Sequence, residues 1–87
     1  MKLVKVSEAI QAVSVATGKP QQRRVAILQR DDGHFTFAEE YFYKSEYDGK
    51  VIAECWARLP AEGIFETAEL AWMEGQSTFL QRYKARP

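Results

Sequence analysis

His34, Cys55, the Asp31-Asp32 pair and the adjacent Glu39 and Glu40 are the side chains that could move protons, attack a carbonyl or hold a cation. A cysteine and a histidine form a nucleophile and its base only when they lie within hydrogen-bond reach of each other. His34 belongs to the turn Asp31-Asp32-Gly33-His34, whereas Cys55 falls in the middle of a later extended segment, so the two are expected to lie far apart. The ordinary reading of Cys55 is a buried, inert thiol. Glu39 and Glu40 are neighbours in an extended run, so they point to opposite faces and cannot act as a paired acid and base. Asp31, Asp32, His34 and Asp48 could share a divalent ion only if two successive hairpin turns met, and such turns lie at opposite ends of a meander. A single cysteine and a single histidine also exclude an internal disulfide and a Cys/His zinc set of about four ligands. The residue types therefore point away from an enzyme, a metal and a cofactor.

A chain of 87 residues has room for one domain and buries only about 60 to 65% of its unfolded surface. With 46% hydrophobic and 28% charged residues, it has the makings of a core and lacks the composition of a disordered chain. The net charge is zero but unevenly placed: residues 1 to 30 carry +5, residues 31 to 74 carry −8, and Arg82, Lys84 and Arg86 add +3. The simplest account pairs a basic strand and tail with an acidic strand and helix, inside the fold or across a dimer. The alternative is a phosphate-binding patch from Arg23, Arg24 and Arg30 with the tail. Lys5, Glu8 and Gln11 break the apolar run at the start, so neither a signal peptide nor a membrane span is expected, and a cytoplasmic setting follows.

The elements that position these residues are set by two Asp-Gly turns. Residues 23 to 30, 34 to 46 and 50 to 59 are β-branched and aromatic runs separated by turns at Asp32-Gly33 and Asp48-Gly49, and both turn residues tolerate positive φ. A three-stranded antiparallel meander is expected. From Thr67 the apolar spacing becomes helical through Ala68, Trp72, Phe79 and Tyr83. Thr67 can cap, acids suit the start, and Arg82, Lys84 and Arg86 suit the end. Gly75 inside that helix is expected to allow close approach to the sheet. Residues 1 to 22 read as an arm or a short helix of about 10 residues, with Ser7 as its N-cap and Gly18 and Pro20 as its stop.

Six of the eleven aromatic residues lie between Phe35 and Tyr47, and they occupy both faces of the strand. A two-residue loop at Asp48-Gly49 pairs Tyr47 with Lys50, Tyr43 with Glu54, Tyr41 with Trp56 and Glu39 with Arg58. That register gathers Phe35, Phe37, Tyr41, Tyr43 and Trp56 on one face. It leaves Phe42, Val51, Ala53, Cys55 and Ala57, with Ala26, Leu28 and Ala38, on the other. One helix can cover one face, so the second must meet the N-terminal segment or a second copy of the chain.

The order of hairpin, third strand and helix over residues 24 to 84 resembles the small β-β-β-α unit of HicB-type antitoxins. The stretch Gly63-Ile64-Phe65-Glu66-Thr67 stands where that unit turns into its helix, but the family's Gly-Cys stretch is absent and no site residue carries over. The resemblance implies a dimer that covers a protein partner. The reading is thus an α+β module, with residues 1 to 22 as an arm and 23 to 87 as one β-β-β-α domain, forming a homodimer with strand or helix exchange in view. Its interface is expected at Phe35, Phe37, Tyr41, Tyr43 and Trp56, toward itself or another protein. The alternative function is single-stranded nucleic-acid binding through the aromatic face with Arg23, Arg24 and Arg30.

Overall fold

Both turns form as their residues dictate. In the computed structural model, which describes residues 1–13 and 20–83, Asp48 and Gly49 adopt φ values of 54° and 77°, and Gly33 adopts 88°. Two consecutive positive φ values give a hairpin turn whose twist matches the flanking strands. At the first turn the Asp32 carboxylate accepts the His34 N–H at 3.0 Å, and Arg30 and His34 close the loop through an N–H to carbonyl bond of 2.7 Å.

These turns link β3 (Pro20–Gln29), β4 (Phe35–Tyr47) and β5 (Lys50–Arg58), preceded by β1 (Lys2–Val6) and β2 (Ile10–Val13) and followed by β6 (Glu62–Phe65) and α1 (Ala68–Arg82). All six strands join one antiparallel, curled sheet in the order β1-β3-β4-β5, with β2 also beside β3 and β6 also beside β4. The expected three-stranded meander is therefore too small, although the α+β class and the single C-terminal helix stand. Each outer lane is one stretch of chain broken by an irregularity.

The N-terminal arm or helix is the main correction. Residues 2 to 6 and 10 to 13 are strands along the free edge of β3. Ser7, read as a helix cap, instead bridges the break between them: its N–H donates to the Val25 carbonyl at 2.8 Å and its Oγ accepts the Val25 N–H at 2.8 Å. A lone helix of about 10 residues is marginal in water, whereas the edge of β3 presents backbone groups that must be paired. The remainder of the expected helix, with its Gly18 stop, lies outside the described residues.

The helix begins as its sequence implies. Thr67 is the N-cap, its Oγ1 accepting the Leu70 N–H at 3.1 Å, with Glu69 in the first turn and Arg82 in the last. Ala71, Gly75 and Phe79 are buried against Val25, Ile27 and Phe37, with Ile10, Phe35, Phe65, Trp72 and Tyr83 packed around them. A Cβ on Gly75 would stand 3.0 Å from Phe37 and 3.1 Å from Val25, so the glycine sets how closely helix and sheet approach.

The helix packs on β3, β4 and β6. A helix of 15 residues spans about 22 Å, whereas the 13 residues of β4 span about 43 Å. The distal half of the β4–β5 hairpin therefore runs beyond its cover. The dimensions agree: the molecule measures 46 × 35 × 19 Å with a radius of gyration of 14.5 Å, against about 12 Å for a compact chain of this length. At the covered end both faces are closed within one chain, since Ala26, Leu28, Thr36 and Ala38 are each at most 1% exposed.

Candidate functional site

The uncovered hairpin is anchored by two buried glutamates that diverge from adjacent positions on β4. Glu39 faces the helix and accepts hydrogen bonds from Arg23, from the Tyr83 hydroxyl and, at 3.0 Å, from Arg82. Glu40 faces the opposite way and is held by Arg24 at 2.7 Å and Arg58 at 2.9 Å. The divergence follows from strand alternation. The charge asymmetry of the sequence is thus spent largely inside the fold, with basic β3 and the end of α1 neutralising acidic β4. Burial, followed by the hydrogen bond to Glu39, pushes the Tyr83 hydroxyl up to about 12.

Beyond this anchor the two faces differ. On the helix side Tyr41 and Tyr43 stack with ring centroids 6.2 Å apart, Arg23 lies 5.2 Å over Tyr41, and exposed Cys55 sits across from Tyr43. The adjacent Cys55 thiol raises the ionisation of the Tyr43 hydroxyl above the usual phenol range. On the other face Phe42 meets Trp56 edge-on at 5.4 Å, Arg24 lies 4.1 Å over the Trp56 ring, and Lys44 pairs with Glu54 at 3.8 Å. At the tip Tyr47, Val51 and Ile52 are 75, 48 and 66% exposed.

The expected register holds only at the turn. Tyr47 pairs with Lys50, but β5 carries an extra residue at Ile52, so Tyr43 pairs with Cys55, Phe42 with Trp56, Tyr41 with Ala57 and Glu40 with Arg58. One inserted residue moves every later side chain to the other face. Of the five aromatics expected on one surface, the four on β4 keep a common face and Trp56 alone moves to the other. Phe37 is buried under the helix, Phe35 is half-buried at the margin of the core, Tyr41 and Tyr43 share the helix side, and Trp56 lies behind them with Phe42. The exposed apolar tip is the element the sequence reading missed. Its cue was the unbroken apolar run Val51-Ile52-Ala53 immediately after a tight turn.

Arg23 and Arg24 are engaged by Glu39 and Glu40, and Arg30 by Asp32 at 3.2 Å. His34 packs at the first turn, with Nδ1 3.4 Å from Asp32. The Tyr43–Cys55 pair lies nine residues along the chain from His34, a separation of about 30 Å, so the histidine and the cysteine cannot act together. Among the described residues no three His, Cys, Asp or Glu side chains converge as a metal site, and no helix is long and apolar enough to cross a membrane. Compared with known protein families, curated proteins and solved structures, the chain shows no match. The antitoxin resemblance therefore rests on the order of β3, β4, β5 and α1 alone.

Proposed function

We propose that the protein is a non-enzymatic binding module whose β4–β5 hairpin docks another polypeptide chain. The observation that carries this reading is the mismatch between a helix of about 22 Å and a strand of about 43 Å, which leaves Tyr43, Tyr47, Val51 and Ile52 in solvent on a hairpin anchored by Glu39 and Glu40. An exposed apolar patch is the usual mark of an interaction site. The extra residue at Ile52 interrupts the free edge of β5, and such irregularities oppose pairing with a further strand. Docking by side chains therefore fits better than extension of the sheet. The nucleic-acid alternative is disfavoured, because the ring of Trp56 is occupied by Arg24 and both β3 arginines are neutralised by buried carboxylates.

Photo-crosslinking tests the reading directly. Benzoylphenylalanine at Ile52, in the full chain expressed in its own cell, should give one discrete adduct whose mass identifies the partner as a second copy or another protein. The same probe at Asp31, on the opposite turn, should give none. Equal labelling at both positions, or no adduct at Ile52, would refute the proposal.

A further inference from the structure

The helix carries a second apolar stripe that its own sheet does not use. Leu70, Met73 and Leu80 are 48, 66 and 61% exposed, and with Ser77 they fall within an arc of about 80° at 3.6 residues per turn. The buried residues Ala71, Gly75 and Phe79 lie on the opposite arc. A strip of large apolar side chains facing water on a helix that already has a covered face is unusual for a monomer. Alongside the first turns of that stripe, between α1 and β1, lies a concavity of about 310 Å³ lined by Val4, Lys5, Ile27, Ala68, Trp72 and Met73, with Glu69 at its rim.

Knob and hole thus occur on the same helix, ten positions apart. We infer that two copies of the chain pair through antiparallel α1 helices related by a two-fold axis level with Gly75. In that register Leu70 of each copy meets Leu80 of the other and Met73 meets Ser77, because each pair is equidistant from residue 75. Leu80 of one copy is delivered to the level of the concavity beside Ala68, Trp72 and Met73 of the other, and the symmetry makes the exchange reciprocal. Ser77, the small member of the stripe, leaves room for Met73.

Charge favours the antiparallel sense. Antiparallel pairing opposes the two helix dipoles and brings Glu69, in the first turn of each copy, toward the last turn of the other, which carries Arg82. A parallel pair would place like charges together. A four-turn contact with two seated leucines buries roughly 1,200 Å² in all, at the lower bound for a specific interface. Dissociation constants in the micromolar range are therefore expected. This pairing leaves the hairpin tips free, and the inference stands independently of the partner proposed for them.

Sedimentation equilibrium of the full chain between about 1 and 500 µM, a span chosen to bracket micromolar dissociation, decides the matter. The expected result is a reversible monomer–dimer transition. Leu80→Asp should shift its midpoint at least tenfold upward while leaving the thermal melt of the dilute monomer unchanged, since Leu80 is mostly solvent-exposed. Met73→Glu is the second variant and should do the same. Ile52→Asp on the hairpin should leave the transition in place. A monomer throughout this range would overturn the inference. So would a dimer that survives both helix substitutions but is lost on Ile52→Asp.

Discussion

Replacing Glu39 by Gln should destabilise the protein by about 2 to 3 kcal/mol. Glu39 is only 3% exposed and accepts from Arg23, Arg82 and Tyr83. Breaking a fully buried ion pair costs about 3 to 5 kcal/mol, because the surviving charge is left without its partner. Here the partners are less deeply placed, with Arg23 and Arg82 side chains 18 and 40% exposed. Water and second acceptors soften the loss, since Arg82 keeps Glu62 and Arg23 keeps Gln21. For a domain of this size about 2 to 3 kcal/mol lowers the melting midpoint by roughly 10 to 20 °C. The assay is thermal and urea unfolding followed by circular dichroism, with Glu54→Gln as the control. The Lys44–Glu54 pair is half-exposed on both sides at 3.8 Å and should contribute at most about 0.5 kcal/mol. Equal effects from the two substitutions, or a loss at Glu39 below about 0.5 kcal/mol, would refute the claim that a buried network anchors the hairpin.

Gly75→Ala should also destabilise, although alanine favours an isolated helix by about 1 kcal/mol. The new methyl meets Phe37 at 3.0 Å and Val25 at 3.1 Å, and overpacking of about 1 to 3 kcal/mol outweighs the propensity gain; a higher melting point in the variant would contradict the close approach. Alkaline unfolding should show Tyr83, whose folded-state pKa is pushed above the ordinary phenol value of 10.0 to about 12. The folded protein then holds that proton more tightly than the unfolded chain, so the contribution is complete below pH ~10 and is lost as pH rises through ~12. Tyr83→Phe should flatten the fall in stability across that window, and parallel profiles would rule the linkage out. Glu40→Gln should split the Trp56 indole N–H resonance into two or more signals, because Glu40 and Arg24 together hold that ring; a single sharp signal would indicate that packing alone fixes the strand.

Local chemistry made much of this fold legible. Asp-Gly at 32–33 and 48–49 marked the turns, Thr67 and the spacing from Ala68 to Tyr83 marked the helix, and adjacency placed Glu39 and Glu40 on opposite faces. What escaped depended on partners remote in sequence. Nothing near Ser7 signals that its hydroxyl will meet the Val25 N–H rather than cap a helix. β6 escaped because Gly63 and four residues of strand read as a turn until β4 offers an edge at Phe35 and Phe37. The face of Trp56 was missed through the single inserted residue at Ile52. The position of that inserted residue was not legible, because Val51, Ile52 and Ala53 are apolar in succession and carry no alternation to break.

That last failure bears on how the chain fixes its own register. In most half-buried strands a slip by one residue drives polar side chains inward, which makes the alternative costly. β4 lacks this protection: Tyr41, Phe42 and Tyr43 are aromatic on both faces, so a slipped strand would be almost as apolar on either side. The adjacent glutamates remove the degeneracy. Glu39 finds Arg23, Arg82 and Tyr83 only on the helix side, and Glu40 finds Arg24 and Arg58 only on the other. A shift of one position would bury both carboxylates against the wrong partners, a penalty far larger than any difference among the aromatic contacts. Buried ion pairs are seldom the best source of stability, and their attested use is the selection of one arrangement among near-equals. Here that selection decides which aromatic residues reach solvent beyond the helix, and so which surface the hairpin can offer.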